Sequence, residues 1–187
     1  MNTDKKAVYD PYVLYAAASV RMWVCSHKKM NWERYQASGP VDPAFEKEMT
    51  GPSSGTFVSL HMHGLLRGCI GTIEPVRESL SEEIASNAIS ACSRDPRFPP
   101  VSPEELDALT VGVDLLRPPV PYQGDPTWDV SRYGVVVEGA WGRRGLLLPN
   151  LEGVDSAGEQ LRIAAQKAGL RLEDVEQMYL FEVERHS

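Results

Sequence analysis

Leu66-Arg67-Gly68-Cys69-Ile70-Gly71-Thr72 constrains the fold more than any other stretch of this chain. It is a short apolar, β-like run with two glycines in its interior. Glycine weakens a strand, and it is kept where another backbone or a ligand comes close. A second short run, Thr56–Met62, precedes it, and His63-Gly64 lies between them as a turn signal. Runs joined so closely pair antiparallel, because a parallel pair needs a crossover of about a dozen residues or more.

Side chains alternate between the two faces of a strand, so residues two apart share a face. Arg67 and Cys69 therefore point the same way, and a nearby guanidinium favours the reactive thiolate. The register of the hairpin decides what joins them. A loop of odd length sets His61 opposite Arg67 and Ser59 opposite Cys69. Val58, Leu60, Met62, Leu66 and Ile70 then form one apolar face, and Ser59, His61, Arg67 and Cys69 the other. A loop of even length sets His61 opposite Leu66 and places a guanidinium among the apolar side chains. A slip of one residue moves every side chain to the other face, so the cost of burial selects the odd loop.

The rest of the chain mixes helices and strands. Asp10-Pro11 opens a helix, with aspartate as N-cap and proline in the first turn. Tyr12, Tyr15, Ala16, Ser19, Val20, Trp23 and Val24 follow helical spacing, and Cys25 is read as the end of that apolar stripe. Residues 38–55 read as a loop, with a short helical turn around 44–49. Ser79 or Ser81 starts a second helix through Ile84, Ala85, Ala88, Ile89 and Cys92, which stops near Asp95-Pro96. Ser102 caps a short helix at Pro103-Glu104-Glu105-Leu106. Residues 110–116 form a strand halted by Pro118-Pro119, and 121–133 read as irregular. Residues 135–138 and 145–148 form a second hairpin over 139–144. Ser156 caps a helix that ends at Gly169, and 177–183 form a last strand. Two hairpins without βαβ alternation predict an α+β fold: a largely antiparallel β-sheet with flanking helices. No internal repeat is apparent.

A chain of 187 residues is long enough for one domain with a real core, or one domain split into two lobes. The net charge of −7 and scattered basic residues argue against a general nucleic-acid binder. No apolar run approaches the roughly 18 residues that span a bilayer. The start, MNTDKKAVYD, carries no apolar signal region. Three widely spaced cysteines, Cys25, Cys69 and Cys92, with no C-x-x-C, fit a reduced cytoplasmic setting.

Three stretches in order carry a family resemblance: GTFVSL followed by LLRGCIGT; then NAISACSRDPRFPPVSPEEL; then RRGLLLP. They resemble the AMMECR domain family, also known as protein A of the AmmeMemoRadiSam system. The likeness runs from about Asp10 to Phe181, so residues 10–184 are read as a single domain of this type. The resemblance implies a sheet core with a smaller second lobe whose limits it does not set. It implies work beside a Memo-like protein, itself similar to extradiol dioxygenases, and a radical-SAM protein. LRGCIG is the family's most recognisable motif, and DPRF is another. Ser59 stands where the family usually has threonine, which keeps a hydroxyl, and Leu151–Ser156 lacks the expected tryptophan.

These readings give a candidate site. Cys69 is a candidate nucleophile with His61 or Arg67 as activator; the alternative is a small structural residue. Arg67, Gly68, Gly71 and Ser59 are candidate ligand-binding residues. Arg67 offers a planar fork of donors for carboxylate or phosphate. Gly68 and Gly71 either expose backbone N–H groups to an anion or let a helix pack closely. Asp95 and Arg97 either pair with each other or line the cleft, in a segment stiffened by three prolines. The expected ligand is small and polar or anionic. His61-Met62-His63 with Cys69 could suggest a metal site, but His63 falls in the turn and a fourth ligand is not evident. No G-x-S-x-G elbow, phosphate-binding loop or other cofactor motif is present.

Overall fold

In the computed structural model, which describes residues 10–187, Asp10 caps a helix as its neighbours predict. Its carboxylate accepts the Tyr12 and Val13 amides, and Pro11 occupies the first turn. The first nine residues, which bear on the reading of the amino terminus, lie outside those described.

The chain divides into two compact units. One holds the described residues up to Asp114 together with Arg185–Ser187, and the other is Leu115–Glu184. The first unit contains helices α1 (Pro11–Ser26), α2 (Trp32–Gln36), α3 (Pro43–Met49) and α4 (Leu80–Ser93). Its strands are β1 (Thr56–Met62), β2 (Leu65–Thr72) and β3 (Leu109–Leu116), lying side by side in the order β2-β1-β3. The second unit holds β4 (Val120–Tyr122), β5 (Tyr133–Gly139), β6 (Arg143–Leu147), α5 (Ala157–Lys167) and β7 (Val175–His186). There β5 pairs antiparallel with β6 and with β7, and β4 pairs antiparallel with β7. Strands β3 and β7 run from one unit into the other. The fold is α+β, with antiparallel strands and flanking helices. Sequence reading missed α2 and β4, each of which is short.

In the first unit α4 packs across β1 and β2, with α1 on its other side. Val58, Leu60, Ile84, Ala88, Ile89, Tyr15, Ala16 and Val20 form this core. Helix α4 is buried nearly all round, and it brings two polar groups inside. Asn87 donates to the Thr56 carbonyl (2.9 Å) and the Thr72 hydroxyl (3.2 Å). Glu83, with no exposed surface, accepts from the Thr72 hydroxyl (2.6 Å) and from the Val76 and Arg77 amides (2.8 Å each). A buried carboxylate is tolerated only with partners of this kind. It pins the β2–α4 loop to the helix.

In the second unit α5 packs on β5 and β6 around Val135, Val137, Leu147, Ala164 and Trp128. The wholly buried Gln160 accepts from Trp128 Nε1 (2.6 Å) and donates to the Tyr133 and Leu148 carbonyls. Both units use one packing device. A Cβ added at Gly68 would lie 2.2 Å from the Ala91 carbonyl oxygen of α4, and one at Gly145 would lie 2.1 Å from the Ala164 carbonyl oxygen of α5. Each glycine follows an arginine on an edge strand and lets a helix backbone rest directly on the sheet.

One packing expectation is corrected. Cys25 is exposed. It lies five residues, or roughly 140° of helix rotation, from Val20, so it falls off the stripe that continues through Trp23 and Val24.

Candidate functional site

Strand β1 alternates as predicted. Val58 and Leu60 face α4 and are buried, while Phe57, Ser59 and His61 turn to the other face and are half-exposed. Ser59 lies directly opposite Cys69. The hairpin reaches this register by a route the alternation rule does not contain. His63 (φ 52°) and Gly64 (φ 79°) make a two-residue turn, so Met62 pairs with Leu65 and His61 with Leu66. The register then shifts between Leu60 and His61: Gly68 pairs with Leu60, and Arg67 is the extra residue of a β-bulge. The near end of the hairpin thus follows the even pairing and the far end the odd one.

The bulge overturns two expectations. His61 is not opposite Arg67, and Leu66 is exposed instead of joining the apolar face. It also turns the Arg67 side chain away from Cys69. The guanidinium is buried, at 9% exposure, and fully used. Nε and Nη2 donate to the two Glu105 carboxylate oxygens (2.7 and 3.0 Å), and Nη1 donates to the Pro99 carbonyl (2.9 Å). Glu105 in turn accepts the Ser102 amide (2.8 Å). The Arg67 bonds, followed by the Ser102 amide, hold the Glu105 carboxyl below its ordinary range. The fork expected to grip a ligand is closed on the protein's own carboxylate.

Asp95 and Arg97 pair with each other and grip Cys69. Strand β2 lies at the edge of the first unit's strands, so the outward N–H and C=O of Cys69 have no strand partner. Asp95 Oδ2 accepts that N–H (2.8 Å), and Arg97 Nη2 donates to that carbonyl (3.1 Å). The two side chains are joined twice, at 2.9 and 2.7 Å. They replace a neighbouring strand for one residue and close an exposed edge. The Asp95 side chain is 2% exposed and that of Arg97 53% exposed. The bonds from Arg97 and from the Cys69 amide hold the Asp95 carboxyl well below the usual carboxylate range. Arg97 also lies over the Phe98 ring, 5.5 Å from its centre.

The remaining candidates resolve by position. Gly68 faces α4. A Cβ at Gly71 would lie 2.3 Å from the Phe57 ring, so that glycine seats an aromatic side chain. On the face away from α4, Ser59 lies between Cys69 of β2 and Gly112 of β3, whose missing side chain leaves room for the Ser59 hydroxyl. Cys69 is half-exposed and Cys92 is buried, and burial pushes the Cys92 thiol up to about 11. None of the three cysteines is in a disulfide among the described residues. Among the described residues no three His, Cys, Asp or Glu side chains are placed to hold a metal ion. Glu105 and Glu83 were missed as partners of this region. The signals were there: Ser102-x-x-Glu105 is a capping-box spacing, and Glu83 sits beside Ile84 on a helix whose apolar stripe is wide.

These features define an α+β protein of two units, one of which carries a strapped edge hairpin with a half-exposed thiol. The AMMECR1 family model matches residues 13–186. A protein of Thermotoga maritima is 46% identical over 178 residues, covering 94% of this chain and 97% of its own. A protein of Clostridium acetobutylicum is 40% identical over 184 residues; the match takes 98% of this chain but 37% of that protein, so the chain spans little more than a third of it. The crystal structure of an uncharacterized protein from Pyrococcus horikoshii has the same fold, with a TM-score of 0.78 and 31% identity over 93% of this chain and 88% of that one. The chain belongs to the AMMECR1 family. No helix among the described residues is long and apolar enough to cross a membrane.

Proposed function

We propose that this protein is a binding component whose working group is the Cys69 thiol, on the open face of the β1–β2 hairpin. The observation that carries this reading is the clamp on Cys69. Asp95 and Arg97 bind the outward N–H and C=O of its backbone while the side chain stays half-exposed beside Ser59. A rigid backbone under an accessible side chain is the arrangement a preorganised site needs. The ligand class is small and polar or anionic. Arg97, not Arg67, supplies the cation, with Ser59 and His61 as polar neighbours. The family resemblance adds the setting: a shared system with a Memo-like protein and a radical-SAM protein.

The test is alkylation of the folded protein with iodoacetamide at neutral pH, followed by peptide mass spectrometry. Cys69 and the exposed Cys25 become modified, and Cys92 reacts only after unfolding. A Cys69 that stays unmodified until unfolding overturns the reading. For the partners, immobilised protein retains a Memo-like or radical-SAM protein, and Cys69→Trp releases it. No retention by the unmodified chain removes that part of the proposal.

A second reading makes Cys69 the nucleophile of a small-molecule enzyme. It draws on the positive charge of Arg97, which interacts with Cys69, because a cation beside a thiol favours the thiolate. The pH dependence of the alkylation rate separates the two. A nucleophile titrates below the ordinary cysteine value of about 8.5, and a binding thiol titrates near it.

A further inference from the structure

The face that carries Cys69 extends past the hairpin. A Cβ added at Gly112 of β3 would lie 2.8 Å from the Ser59 hydroxyl, so Gly112 and Ser59 share that face. Asp114, two residues along β3, shares it too. Asp114 accepts from Arg185 of β7, at 2.8 Å from Nε and 3.4 Å from Nη2. Strands β2, β1, β3 and β7 lie side by side in that order. Cys69, Ser59 and Gly112 therefore make a floor of small side chains across three strands. Arg97 stands at its β2 edge and Arg185 at its β7 side.

These two arginines share a feature that their counterparts lack. Arg67, Arg97, Arg171 and Arg185 each dock Nε and Nη2 on one carboxylate. Arg67 spends its Nη1 on the Pro99 carbonyl, and Arg171 spends its Nη1 on Glu173. Arg97 and Arg185 leave Nη1 without a partner among the described residues. In both pairs the aspartate is covered and the guanidinium is not. The Asp95 and Asp114 side chains are 2% and 15% exposed, and those of Arg97 and Arg185 are 53% and 45% exposed. Each aspartate fixes the orientation of a donor that still faces outward. A guanidinium held in this way has little freedom left to lose on binding.

The spacing sets the length of what fits. Neighbouring strands lie about 5 Å apart, and Arg185 reaches back from β7 to β3, so the two free donors are separated by about 10–14 Å. A single small anion reaches one of them and not both.

We infer that this face binds an elongated small molecule with an anionic group at each end, one on Arg97 and one on Arg185. Its middle lies over Cys69, Ser59 and Gly112, where a larger side chain in place of the glycine would meet the Ser59 hydroxyl. Asp95 and Asp114 are positioning residues. The inference rests on the reading of this face as a binding site and names its ligand class.

The experiment is an NMR titration of the isotope-labelled intact chain with straight-chain dicarboxylates, from succinate to dodecanedioate, and with the monocarboxylate of each length. The Ser59, Cys69 and Gly112 amides shift. The best dicarboxylate binds about tenfold or more tightly than its monocarboxylate, because it gains a second charge-assisted bond. Arg185→Gln removes that advantage. Arg171→Gln, which loses an equally well-fixed arginine elsewhere, keeps it. Circular dichroism shows whether the variants fold, and if Arg185→Gln does not, the advantage measured on the unmodified chain decides alone. Three results overturn the inference: no dicarboxylate shifts these amides, the best one binds no more tightly than its monocarboxylate, or a folded Arg185→Gln keeps the advantage. Alkylation of the ligand-free protein tests the Cys69 thiol separately. An unreactive Cys69 beside a dicarboxylate-selective face overturns the role of the thiol and upholds the two arginines.

Discussion

At the scale of the residue, Arg67 shows how one backbone detail reassigns a side chain. Alternation put it beside Cys69 as a ligand-binding group, and the bulge gives it to Glu105 and the prolyl carbonyls. Arg67→Ala strands the Glu105 carboxylate, whose side chain is only 23% exposed, and removes the donor to the Pro99 carbonyl. Groups stranded in this way cost about 2–3 kcal/mol. For a chain of this size that lowers the melting temperature by about 5–10 °C. Arg67→Lys restores charge without the fork and recovers only part of the loss. Thermal unfolding of both variants checks this, and an unchanged midpoint in Arg67→Ala would show that the pair contributes nothing. The same comparison says why the sequence misled here. A bulge is an insertion in pairing, and pairing partners are not written in the strand that carries it.

At the scale of the element, the β1–β2 hairpin and α4 form one packed piece, and Gly68 is where they touch. A methyl group at that position meets the Ala91 carbonyl oxygen at 2.2 Å, and neither backbone is free to yield. Gly68→Ala therefore destabilises by about 1–3 kcal/mol, the range of an overpacked core. Gly39→Ala is the control, because nothing lies within 4 Å of a Cβ there. Equal denaturation midpoints for the two variants would contradict close packing at Gly68. Sequence reading left Gly68 open between an anion nest and a close helix approach. The helix decides it, and the helix reaches Gly68 only through tertiary packing. The parallel pair Arg144-Gly145 under α5 was also visible as letters, but its meaning needed the second helix in place.

For the molecule as a whole, the strap across β2 predicts a response to acid. The Asp95 and Glu105 carboxyls are both held below their ordinary values by arginine partners and backbone amides. A group with a depressed folded value contributes stability that is fully present above its unfolded value and lost as pH falls through the folded one. The unfolded values are about 3.9 for aspartate and about 4.3 for glutamate. Stability from these two groups is thus complete at neutral pH and declines below about pH 4. Asp95→Asn lowers the melting temperature at pH 7 and flattens the fall between pH 5 and pH 2. Parallel melting curves for Asp95→Asn and the unmodified chain across that range would place the acid sensitivity elsewhere.

What the sequence determined by itself is the set of local structures and the α+β class. Helix caps at Asp10, Ser79 and Ser156, turn residues at His63-Gly64, and the periods of apolar residues act within a few positions of the chain, and they place α1, α4, α5 and both hairpins. The family motifs lay in plain letters as well. What only the tertiary structure decided is which polar groups meet. Arg67 finds Glu105, and Cys69 finds Asp95 and Arg97, across separations of 38, 26 and 28 residues. Such pairings depend on bulges, edges and helix placement. Charge and spacing permit many partners over those distances, and burial, which leaves no water to replace a missing one, selects among them.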